Sequence, residues 1–173
     1  SYSYSGLPKY KIVNGAEAAI IYTVKETPVD GYSVSNPNPA AGTVDTQTGN
    51  VSGADFTNTL KVVSIAGSKT WEDQGNLYGT RPENLTITLL ADGEEVDPQP
   101  TPVWSKPAGS NAWSYSYSGL PKYKIVNGAE ARCSCTVEEA PALGYEASVP
   151  NPEPGEVSET GDVTEADFTN TLK

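Results

Sequence analysis

Three residues of this chain could do chemistry together: a lysine, a glutamate and an asparagine that stand at inward positions of apolar runs. Side chains of a β-strand alternate between faces, so residues two apart share one. In VVSIAGSKTW, Val63, Ile65, Gly67, Lys69 and Trp71 fall on one side, with small or polar residues between them. In RCSCTVEE, Cys133, Cys135, Val137 and Glu139 share a face, and in DFTNTL Phe168, Asn170 and Leu172 do. Lys69, Glu139 and Asn170 thus each interrupt an apolar face. An unpaired charge buried there is costly, so it neutralises or finds a partner. A lysine amine is nucleophilic only when neutral, and burial favours that form. Such an amine could attack the side-chain amide carbon of Asn170. A protonated Glu139 could polarise the amide oxygen and carry protons toward the departing nitrogen. The products would be a Lys–Asn isopeptide bond and ammonia, made once per domain, with the fold supplying proximity. The same residues also fit a satisfied, buried hydrogen-bonded cluster with no covalent bond.

The elements that must position these residues occur twice. Residues 1–17 recur unchanged at 114–130. TVKETPVDGY at 23–32 returns as TVEEAPALGY at 136–145, and ADFTNTLK at 54–61 returns at 166–173. Self-similarity on this scale marks a tandem array whose period is a whole small β domain. Residues 62–173 are expected to form one complete unit. Residues 1–61 are expected to be the C-terminal part of another, completed by a further chain or by upstream sequence, since half a sandwich exposes an apolar face and open edges. In a permuted alternative, 1–61 folds with 62–113. The earlier copy repeats the exceptions: Glu26 shares a face with Ile20, Tyr22 and Val24, and Asn58 with Phe56 and Leu60. It offers no lysine. Lys69 is assigned to Asn170, within one repeat; the permuted alternative would join it to Asn58 beside Glu26.

Composition narrows the field. The chain has no His and two Cys, which removes Ser-His-Asp triads, Cys-His dyads and almost every zinc site. No metal and no cofactor is expected. A net charge of −11 argues against a nucleic-acid partner. No run of apolar residues is long enough for membrane insertion. Short Val-, Thr- and Tyr-rich runs punctuated by 16 Gly and 14 Pro predict an all-β sandwich or barrel, and no segment sustains a helical period. Cys133 and Cys135, two apart on one strand, are expected to be buried thiols and not bridged to each other, with a bond to another chain or a redox-sensitive site as the alternative. Glu138 and Glu139 point to opposite faces, so they are not a glycosidase pair.

The ordered set SKTW, RP before the alternating LTITLL, LPKY, TVEE and FTNTL resembles the CnaB-type domain, the B-type repeat of Gram-positive collagen adhesins and pilins. The resemblance spans 62–173, and 1–61 matches its C-terminal part. It implies a prealbumin-like, inverse immunoglobulin β-sandwich in tandem repeats. It implies an isopeptide bond between Lys69 and Asn170 catalysed by Glu139, with Glu26 and Asn58 as the counterparts in the first unit. The function it implies is not enzymatic turnover but a stalk or fibre repeat of a bacterial surface adhesin or pilus, extracellular and attached to the cell wall. The partners implied are neighbouring repeats or copies of the same chain. An adhesive module that binds host extracellular matrix protein or glycan is the alternative. The junction Leu60-Lys61-Val62-Val63 lacks Gly and Pro, so a stiff connection is expected.

Overall fold

The computed structural model describes residues 1–173, all of them in strands, turns and irregular segments. The chain divides into two compact units, Ser1–Leu60 and Lys61–Lys173.

In the first unit β1 (Tyr10–Val13) and β2 (Ala16–Ala19) form a hairpin. Its two-residue turn is Asn14-Gly15, both with positive φ, the dipeptide such a turn favours. β3 (Tyr32–Val34) pairs with β6 (Asn58–Leu60), and β4 (Thr43–Val44) with β5 (Val51–Ser52). Little is covered here: Tyr2, Tyr4 and Leu7 are exposed, whereas their repeat counterparts Tyr115, Tyr117 and Leu120 are buried.

The second unit contains β7 (Val62–Glu72), β8 (Ile87–Ala91), β9 (Glu94–Glu95), β10 (Val103–Ser105), β11 (Ala112–Pro121), β12 (Tyr123–Val126), β13 (Ala129–Arg132), β14 (Cys135–Glu139), β15 (Tyr145–Ala147), β16 (Glu156–Val157), β17 (Val163–Thr164) and β18 (Phe168–Leu172). One sheet runs β10-β11-β7-β17-β16, with β18 also on β7 and β15 on β18; the other runs β14-β8-β9. β7 is the central strand. It lies antiparallel to β11 and parallel to β17 and β18. Val63, Ile65, Tyr115, Tyr117, Val163 and Phe168 of the first sheet pack with Ile87, Leu89 and Val137 of the second in one core. The unit is therefore a two-sheet sandwich, built by the inward parity of each strand.

Gly67 explains how β7 passes through this core. A Cβ there would lie 1.9 Å from the Ala166 carbonyl oxygen and 2.8 Å from the Tyr115 hydroxyl. Tyr115 donates a hydrogen bond to that same carbonyl, directly beside the glycine. Cys133 is half-buried and Cys135 buried, and both thiols are free.

Candidate functional site

Lys69 and Glu139 come from strands in opposite sheets, and Asn170 from the strand beside Lys69. On β7 and β18 the register pairs Phe168 with Lys69 and Asn170 with Trp71. Lys69 and Asn170 are 0% exposed and Glu139 is 2% exposed. Lys69 Nζ donates to Glu139 Oε2 at 3.0 Å. Asn170 Nδ2 donates to Glu139 Oε1 at 2.7 Å. One carboxyl group thus holds both of the other side chains, one on each oxygen. Asn170 Oδ1 is buried and accepts no hydrogen bond. Burial pushes the Lys69 amine below its usual value, and the charge and hydrogen bond of Glu139 oppose that shift. The ring of Trp71 stands 4.8 Å from Lys69 Nζ.

The backbone of Glu139 is fixed by a residue the parity argument does not reach. Asn151 Oδ1 accepts from Glu139 N at 2.9 Å, and Asn151 Nδ2 donates to Glu139 O at 2.9 Å. The first unit repeats this clamp: Asn38 contacts Glu26 N at 3.1 Å and Glu26 O at 3.0 Å. The signal available in the sequence was the Asn-Pro pair that follows TVxE in both copies.

A second buried polar cluster borders the site. Asp73 continues the inward parity of Lys69 and Trp71 and is 2% exposed. Arg81 Nε and Nη2 donate to its two carboxylate oxygens at 2.6 and 2.5 Å. Tyr145 Oη donates to Asp73 Oδ2 at 3.0 Å, and Asn76 N to Oδ1 at 3.0 Å. Arg81 Nη1 also reaches the Ser110 carbonyl at 2.8 Å, and Nη2 reaches Asn111 Oδ1 at 2.6 Å. The guanidinium beside Asp73 holds its carboxyl at about 2, below the ordinary 3.8.

In the first unit Glu26 and Asn58 meet as well. Asn58 Nδ2 donates to Glu26 Oε1 at 3.0 Å, and Glu26 Oε2 is buried without a hydrogen-bond partner. Lys69 is not part of that pair; it lies in the second unit with Glu139.

A two-sheet sandwich with a buried Lys, Glu and Asn on its first strand, an opposing strand and its last strand is the arrangement that the sequence resemblance leads one to expect. The family model for the Cna protein B-type domain matches residues 1–59 and 65–166, so the chain belongs to that family. The collagen adhesin of Staphylococcus aureus is 37% identical over 105 residues, which cover 59% of this chain and 8% of that protein. The chain thus corresponds to a small part of that relative's length. Among solved structures, two B repeat units (B1B2) of the S. aureus collagen binding protein are 27% identical, covering 85% of this chain and 31% of that one with a TM-score of 0.45. A single B repeat unit (B1) of the same protein is 21% identical, covering 99% and 74%, with a TM-score of 0.42. Domains of this family are non-catalytic structural modules of extracellular, cell-wall-anchored surface proteins.

Proposed function

We propose that the second unit closes itself by an isopeptide bond between Lys69 and Asn170, with Glu139 as the proton carrier, and that the chain serves as a tension-carrying repeat of a surface stalk or fibre. The observation that carries this reading is Glu139, which touches both reactants inside a site closed to water. Glu139 Oε2 takes a proton from the Lys69 ammonium and leaves a neutral amine. Nζ then bonds to Cγ of Asn170 while the Cγ–Nδ2 bond breaks. One further amine proton passes to Nδ2, and ammonia departs. Charge develops on Asn170 Oδ1 during the attack; this oxygen accepts no hydrogen bond, and Glu139 Oε1 holds Nδ2 in place of the polarising contact to the amide oxygen expected from the sequence. Intact mass tests the reading: the folded chain is lighter by one ammonia, and peptide mapping joins residue 69 to residue 170. An unaltered mass in folded protein overturns it.

The first unit supports a related reading. Glu26 and Asn58 reproduce the contact of Glu139 and Asn170, and Glu26 Oε2 stands free in place of the oxygen that Lys69 occupies. A lysine from the first-strand segment of a neighbouring repeat or of another copy would complete the set. Host-matrix or glycan binding has less to rest on, because Tyr115 and Tyr117, aromatic side chains that such a ligand could stack on, are each 2% exposed.

A further inference from the structure

Asp73, Arg81 and Tyr145 form a buried polar cluster that the closing reaction does not use directly. An ion pair in the interior costs desolvation that apolar residues of the same volume would avoid. Its gain here is geometric, because every oxygen of Asp73 is engaged and the planar fork of Arg81 fixes the direction of each contact. Two members of the cluster contact Trp71. The Tyr145 ring meets it at a centroid distance of 4.9 Å and an interplanar angle of 71°, and the Arg81 guanidinium lies 5.8 Å from it.

The strands it joins are those of the two reactants. Asp73 follows β7, which carries Lys69. Tyr145 opens β15, where Ala147 pairs with Asn170 on β18. Asn170 in turn pairs with Trp71. The β7–β18 ladder is parallel and spans only four pairs, from Phe168 and Lys69 to Thr171 and Glu72. A slip of one residue would turn Asn170 to the opposite face. The Asp73–Tyr145 hydrogen bond lies at the end of that ladder and ties β7 to the far side of β18.

We propose that Asp73, Arg81 and Tyr145 are positioning residues for isopeptide closure: they hold Trp71 and the register of β15 and β18 so that Asn170 stays against Lys69. This rests on the closure reading above. The test follows ammonia loss in the full chain made by cell-free translation. Samples are quenched through a time course, intact mass gives the closed fraction, and brief proteolysis gives the folded fraction. Arg81→Lys keeps the charge and loses the fork. Tyr145→Phe keeps the ring and loses one oxygen, and it decides the case if Arg81→Lys does not fold. Val163→Ala weakens the core away from the cluster. Folded Arg81→Lys and Tyr145→Phe chains are expected to close about tenfold more slowly than the parent, because small misplacements of reacting groups cost rate steeply. Val163→Ala is expected to close at the parental rate once folded. Parental rates in both cluster variants, or equal slowing in Val163→Ala, overturn the positioning role. A parent chain that never loses ammonia overturns the closure reading itself.

Discussion

Lys69 and Glu139 face each other where neither reaches solvent, so the fate of one determines the cost of the other. Glu139→Ala removes the proton carrier and leaves a buried amine without its partner. That variant should retain the full mass and lose about 3–5 kcal/mol relative to a chain carrying Lys69→Met with Glu139→Leu, which removes both charges. Urea unfolding measures the difference, and equal midpoints would contradict the buried pair. Asp73 supplies a pH test. Its carboxyl is held at about 2 against an ordinary 3.8, so the stability it contributes is complete above pH 4 and is lost as pH falls toward 2. The gap in Tm between the parent and Asp73→Asn should narrow across that interval. A gap that stays constant down to pH 2 would assign the stabilisation elsewhere. Lys69, Glu139 and Asn170 were legible because a period of two places a charge among apolar neighbours. Asp73 has the same parity, but it sits just past the strand and reads as a turn residue. Arg81 and Asn151 act from loops, where no period tells where a side chain reaches.

Individual strands were readable, and their partners were not. β7, β8, β14 and β18 follow from alternation, and the Asn14-Gly15 and Asp92-Gly93 pairs stand at positive φ in hairpin turns. The parallel pairing of β18 on β7 joins segments from the two ends of the unit, and no local pattern encodes it. Gly67 reveals the tightness of that arrangement. Gly67→Ala would drive a methyl into the Ala166 carbonyl and cost about 3 kcal/mol, measured in a Glu139→Ala background so that no cross-link masks the loss. In the first unit the Tyr2 hydroxyl still donates to the Ala54 carbonyl, and the Tyr2 and Phe56 rings still stack at 6.4 Å, as Tyr115 does with Ala166 and Phe168. The walls beside the position of a β7-like strand are therefore kept. A peptide of residues 62–113 added to the full chain should become joined to Asn58 through its Lys69 and not through Lys106, the other lysine it carries. Mass mapping reads the adduct, and a peptide with Lys69→Arg should give none.

At the scale of the whole molecule, the repeat places the proposed bond between the first and last strands of a unit, so it closes a loop of roughly 100 residues. A covalent closure of that length limits the unfolded chain by about 5 kcal/mol in the loop-entropy account used for disulfides. Its mechanical consequence is larger. With that bond formed, tension would enter the second unit near Lys61, follow β7 to Lys69, cross to Asn170 and leave along β18, so the strands between would carry none of it. Hydrogen bonds of a short parallel ladder would otherwise bear the load. Single-molecule pulling on the full chain should therefore find no large extension from this unit in the parent. Lys69→Arg, which keeps the charge and cannot close, should release roughly 300 Å more contour, the span of roughly 100 extended residues less the folded separation of their ends. Equal extension in the two chains would mean that tension does not pass through the Lys69–Asn170 pair, and the stalk reading would lose its physical basis.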